Sequence, residues 1–171
     1  MPLRNSVDEL ASDKVKSLHD WWRAALDGAG RIPDRRDFDP TRFARLLPNL
    51  IIAEVERDPF RIRYRLVGTK VADVLNIDFT GRYLDELIDG ATDTPWQDYF
   101  VTAFEQRVPI LGEITERTLS GGTFIFEFGI FPVTAGGAAV GQFLCIEDYF
   151  DFNLTSAELI PWSLRDAKLS A

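Results

Sequence analysis

The chain of 171 residues is 46% hydrophobic and 12% aromatic, which supports one domain with a packed core and excludes disorder over most of its length. A net charge of −8 disfavours nucleic acid and anionic membrane surfaces as partners, and no apolar run approaches a membrane span. The single cysteine, Cys145, permits no internal disulfide, and residues 1–20 lack a signal peptide's apolar block, so a cytoplasmic location is expected.

Residues 1–13 read as a loose lead-in. From Lys14 to Leu26, the residues Val15, Leu18, Trp22, Ala25 and Leu26 recur at helical spacing, with Asp13 or Ser12 as the cap and Gly28 and Gly30 as the stop. Arg31 to Asp39 reads as an exposed connector. Its arginines (Arg31, Arg35 and Arg36, with Arg42 and Arg45 beyond) are interleaved with Asp34, Asp37 and Asp39. That pattern favours a self-paired, solvated segment over a phosphate site. Pro40 opens a short helix capped by Asp39, buries Phe43, Leu46 and Leu47, and is stopped by Pro48.

A hairpin follows. A type I turn at Asp58-Pro59, with proline second, pairs Glu56 with Arg63 and Glu54 with Arg65 on one face. Ala53, Val55, Ile62, Tyr64 and Leu66 then share the other face. After Thr69 come a short helix (Val71, Val74, Leu75), the turn Thr80-Gly81-Arg82 and another helix from Leu84 to Ile88. Thr94 and Pro95 start the longest central helix, whose apolar face is Trp96, Phe100, Ala103 and Phe104 and which Pro109 ends. Strands over 110–119, 123–133 and 140–147 are separated by Ser120-Gly121-Gly122 and Ala135-Gly136-Gly137. A last helix from Thr155, interrupted at Pro161, is expected in the tail. The economical packing is an α+β fold: a five-stranded antiparallel sheet with helices on one face, plus an N-terminal amphipathic helix.

The ordered set of residues supports a family resemblance. Tyr64-Arg65-Leu66-Val67-Gly68-Thr69, Thr80-Gly81-Arg82, Phe131-Pro132-Val133 and Glu147-Asp148 fall where a PAS domain places them, so the stretch from Leu46 to Asp148 resembles a PAS domain. With Trp22, Pro33, Asp39-Pro40 and Leu46-Leu47-Pro48 included, the chain is similar to single-domain PAS proteins common in alphaproteobacteria. The expected organisation is an N-terminal helix and connector over 1–45, a PAS-like domain over 46–150 and a C-terminal extension over 151–171. The resemblance implies a bacterial sensor or adaptor in signal transduction. It would bind an unidentified small molecule or a signalling protein and, having no output domain in this chain, signal by contact. It also implies a homodimer through the leading helix, where the adjacent Trp21 and Trp22 cannot share one narrow stripe. The alternative is that this helix caps its own sheet.

The ligand-pocket candidates follow from strand alternation and the resemblance: Phe124, Phe126, Phe128 and Ile130 on the fourth strand, Gln142, Leu144 and Ile146 on the fifth, Tyr64 and Leu66 on the second, and Trp96 and Phe100 on the central helix. A phenylalanine stripe more often fills a core than lines a pocket, and Gln142 is the polar group that sustains the ligand reading. No cofactor is predicted. Haem is disfavoured because the lone histidine, His19, belongs to the leading helix, at the surface; a covalent flavin is disfavoured because Arg82-Tyr83-Leu84-Asp85 carries no cysteine. No metal site and no catalytic residue are expected, since nucleophile-elbow, P-loop and dinucleotide motifs are absent. The competing readings are a small α+β pocket enzyme using Asp73 or Glu127, and an interaction module with a filled core.

Overall fold

The computed structural model describes residues 3–26, 30–88, 94–117 and 122–150. Helix α1 (Asp13–Ala25) is followed by strands β1 (Leu50–Arg57) and β2 (Phe60–Val67). Helices α2 (Thr69–Leu75), α3 (Leu84–Leu87) and α4 (Trp96–Gln106) come next, then strands β3 (Ile110–Arg117), β4 (Thr123–Thr134) and β5 (Val140–Phe150). The strands form one antiparallel sheet in the order β2-β1-β5-β4-β3, so the last strand in sequence is the middle one in space. Helices α2, α3 and α4 cup one face of this sheet, and α1 packs on the other. The expected tail helix lies outside the described residues.

Ser12, not Asp13, caps α1: its hydroxyl accepts from the Val15 amide at 3.0 Å and donates to Asp148 at 2.8 Å. Val15, Leu18 and Trp22 are buried against the sheet, and the Trp22 indole donates to the Pro132 carbonyl at 2.8 Å. Trp21 packs edge-on against Phe38 at 5.2 Å. Within the chain α1 packs on its own sheet, with Trp22 buried and Trp21 half-buried.

The lead-in is ordered where it is described, contrary to expectation. Leu3 bridges Gly112 and the Arg4 amide donates to Leu111 O at 2.9 Å, which pairs part of the β3 edge. The other edge strand, β2, is treated the same way by the Gly81 turn. The Gly81 amide donates to Tyr64 O at 2.7 Å, and Tyr64 donates back to Arg82 O at 2.9 Å. Gly81 has φ +87°, a conformation that suits glycine. Gly68 is required for a different reason: a Cβ there would lie 2.3 Å from Pro48 O and 2.6 Å from Leu47 O.

Three local expectations differ from the structure. The hairpin pairs Glu56 with Arg61, Glu54 with Arg63 and Val55 with Ile62, two residues from the expected register. The Asp58–Pro59 peptide is cis and proline takes the third turn position, as in a type VI turn. A shift of two preserves the faces, so the charged and apolar sides stay separate. Residues 40–46 form hydrogen-bonded turns rather than a helix, and Pro48 lies inside a 3-10 turn, Leu47–Asn49. The 31–39 connector is not wholly exposed: Ile32 and Phe38 belong to the core, while Arg36 pairs with Asp34 at 2.8 Å.

Candidate functional site

The cup between the sheet and helices α2–α4 holds a cavity of about 80 Å³. Its walls are built from alternate residues of adjacent strands. On β4 these are Phe124, Phe126, Phe128 and Ile130, and on β1 Ile51. Tyr64 comes from β2, with Phe79 set edge-on at 4.6 Å. Helix α4 starts after Pro95 and turns Trp96 and Phe100 toward the sheet, so that Trp96 lies 5.1 Å from Phe128 and 6.4 Å, stacked, from Phe126. The α4 register also buries Tyr99, stacked on Phe128 at 5.7 Å, a contribution the four-residue reading of that helix omitted.

Residues directly opposite in an antiparallel ladder share a face, and the β4–β5 register decides which half of β5 faces the cup. Phe126 is opposite Tyr149, Phe128 opposite Glu147 and Ile130 opposite Cys145. The odd-numbered residues of β5 therefore face the cavity. Leu144 pairs with Phe131 and Gln142 with Val133, on the α1 side of the sheet, so neither lines the cup and Gln142 is not the polar group within it. Ile146 borders the cavity, although its partner Gly129 places it on the α1 side. Leu66 is displaced by a bulge: Ala53 pairs with Tyr64 but Ile52 with Leu66, which turns Leu66 out to 43% exposure, away from the cavity. The remaining pocket candidates, Tyr64, Trp96, Phe100, Phe124, Phe126, Phe128 and Ile130, all border the cavity.

The polar centre of the cup is Glu147, on the middle strand. Burial pushes its carboxyl up to about 7; the nearby Glu116 charge adds to the rise, and the hydrogen bond from the Tyr149 hydroxyl opposes it. Burial and the same carboxylate raise the Tyr149 and Tyr64 phenols, and burial raises the Cys145 thiol. Glu116, opposite Phe124 on β3, borders the same cavity. Glu147 was read only as a strand-end marker; the signal that could have found it is an acid within the apolar run Val140–Phe150.

The two acids of the enzyme reading do not meet here. Asp73 is exposed on α2. Glu127 is on the opposite face of the sheet, buried, where it accepts from the amides of Ala11 at 2.9 Å and Ser12 at 2.6 Å. Beside it Asp148 accepts from Ser12 and from Lys14, the latter at 2.5 Å. Both acids hold the start of α1. His19 is half-buried on α1 against Phe131, at 6.3 Å, across the sheet from the cup. Among the described residues, no group of three or more His, Cys, Asp or Glu could hold a metal.

A sheet ordered 2-1-5-4-3, cupped by three helices between its second and third strands, agrees with the comparison of sequences, in which a family model described as a PAS domain matches residues 10–144. The chain belongs to the PAS domain family. The fold is that of a sensory module, and the match takes in α1 and the cup as far as Leu144 on β5, short of Glu147. Among solved structures, this PAS chain is similar to the light-state structure of the blue-light photoreceptor Aureochrome1 LOV, with TM-score 0.46 and 12% identity over 66% of this chain and 89% of that one. It is also similar to the Rhodobacter sphaeroides LOV protein, with TM-score 0.48 and 11% identity over 68% of this chain and 70% of that one. No curated protein matches it. Among the described residues, no helix is long and apolar enough to cross a membrane.

Proposed function

We propose that this PAS domain is a cytoplasmic sensor or adaptor that takes a small ligand into its cup and passes the state of the cup to a partner protein by contact, without catalysing a reaction. The observation that carries this reading is Glu147. A core meant only to pack its rings gains nothing from a carboxylate on its central strand, because half-burying that charge with no cationic partner among the described residues is costly. A ligand with a matching group removes that cost. The described acids that an enzyme reading would use are exposed or hold α1, which supports binding over turnover.

The cavity sets the scale of the ligand. Its volume of about 80 Å³ is near half of the roughly 150 Å³ that accommodates benzene in an engineered core, which favours a ligand much smaller than a haem or flavin ring system. The same tightness favours a second reading, in which the rings fill the core and the module works by surface contact alone. Native mass spectrometry of freshly purified protein, compared with the denatured mass, separates the two. A small molecule released on denaturation supports the sensor. A bare mass, together with an NMR spectrum that no small-molecule library perturbs at Phe126 or Glu147, leaves only the filled-core module.

A further inference from the structure

We propose that the cup selects a small protonated amine, bound through its N–H groups to Glu147 and packed among the rings of Trp96, Phe126 and Phe128. The inference rests on the ligand-binding reading above and names the chemistry of that site. Three features of the wall lead to it.

The charged groups of the wall are of one sign, set among the Tyr64 hydroxyl, the Trp96 indole and the Cys145 thiol. Two carboxylates, Glu147 and Glu116, border the cavity, and no Lys, Arg or His is among the described residues that do. An anionic ligand would meet repulsion from Glu147, and a neutral ligand would leave the ionised Glu147 without a counter-charge. A cation supplies it. The apolar part of the wall suits a cation as well. Aromatic rings carry negative charge on their faces, and rings from α4 and β4 together border the cavity: Trp96, Phe126 and Phe128, with Trp96 5.1 Å from Phe128 and 6.4 Å from Phe126. Finally, Tyr149 donates to Oε2 of Glu147 and so fixes the direction of the carboxylate. Among the described residues Tyr149 is the hydrogen-bond partner of that group, and the acid faces the cavity with acceptor capacity for a donor.

Size narrows the class. If a roughly 150 Å³ cavity holds the six heavy atoms of benzene, about 80 Å³ holds about three. Ethylammonium has that size and carries three N–H donors. It is the probe of choice, with ethanol as the neutral and formate as the anionic counterpart. The pH dependence follows from Glu147 and the groups around it: Glu116, Tyr149, Tyr64 and Cys145. The three neutral hydroxyl and thiol groups stay protonated across the neutral range, so the carboxyl that titrates near 7 controls the binding of a cation.

The test is an amide and indole NMR titration of the full chain at pH 8 and constant ionic strength with each of the three probes. Ethylammonium is expected to shift Glu147, Phe126 and the Trp96 indole. Its affinity should drop at least tenfold in Glu147→Gln, shown to be folded by its own spectrum, and remain unchanged in the surface variant Glu54→Gln. Affinity should also weaken about tenfold for each pH unit below 7 as the carboxylate is lost. Equal or better binding of ethanol or formate would overturn the amine assignment while leaving a ligand-binding cup. An ethylammonium response that survives Glu147→Gln would also overturn it. No response to any probe, with a bare native mass, would overturn both the amine and the ligand reading.

Discussion

Replacing Glu147 by glutamine should make the protein more stable, and by an amount that depends on pH. The carboxyl rises from an ordinary value of 4.5 to about 7 on folding. At about 1.4 kcal/mol for each pH unit, the ionised side chain destabilises the folded state by about 3 kcal/mol above pH 7. The folded chain holds this proton more tightly than the unfolded chain. The contribution is therefore fully present below pH 4.5 and is lost as pH rises through 7. Glutamine has nearly the same shape and keeps an acceptor for Tyr149, but it has no charge to bury. Wild type and variant should be closest near pH 4.5 and diverge to about 3 kcal/mol at pH 8, or roughly 6–12 °C in Tm for a chain of this length. Urea unfolding followed by tryptophan fluorescence at several pH values between 5 and 8 measures this directly. The acids other than Glu116, which is coupled to Glu147, titrate alike in both proteins, so the difference isolates position 147 and that one neighbour. A difference that stays flat with pH, or a variant less stable than wild type at pH 8, would refute the buried-acid argument.

Three further outcomes test the frame around the cup. Gly68→Ala places a methyl group against two backbone carbonyls and should cost at least about 2 kcal/mol in thermal unfolding; an unchanged Tm would show that the 2.3 Å approach to Pro48 is easily relieved. Trp22→Phe keeps the ring packing of α1 but loses the 2.8 Å bond to Pro132 O, and a loss of about 1–2 kcal/mol is expected in urea denaturation. Asp34 accepts from Arg36, the Thr134 hydroxyl and the Gly136 amide, which hold its carboxyl far below the ordinary 3.8. Asp34→Ala should cost about 1 kcal/mol at pH 7, and the gap should close as pH falls below 3.8, because a depressed pKa contributes stability only while the acid is ionised.

The elements were legible in the sequence wherever one face stays wet. In α1 the buried positions Val15, Leu18 and Trp22 alternate with charged ones, and the hairpin's Glu and Arg positions mark its outer face even though the register is shifted by two. Strand β5 is different. As the middle strand it is covered by α4 on one side and α1 on the other, and Phe143, Leu144, Cys145 and Ile146 are all buried. Burial on both faces erases the alternation that would assign a side, so Gln142 and Leu144 were placed in the cup and Glu147 was not. Leu66 was misplaced for a related reason, because the bulge beside Ala53 leaves no composition signal.

By itself the sequence determined the parts: the helix and strand periods, the turns around Gly81 and Gly136, the aromatic content of the core and the family pattern from Tyr64 to Arg82. Those depend on neighbours along the chain, which a linear pattern records. Only the tertiary structure decided what the parts face. The β4–β5 register put an acid rather than an amide in the cup, and the packing of α1 turned Glu127 and Asp148 into its anchors. Gly68 drew its meaning from Pro48, a residue 20 positions earlier in the chain. Each of these is a contact across the sheet or between strands far apart in sequence, and the energy of such a contact belongs to the pair.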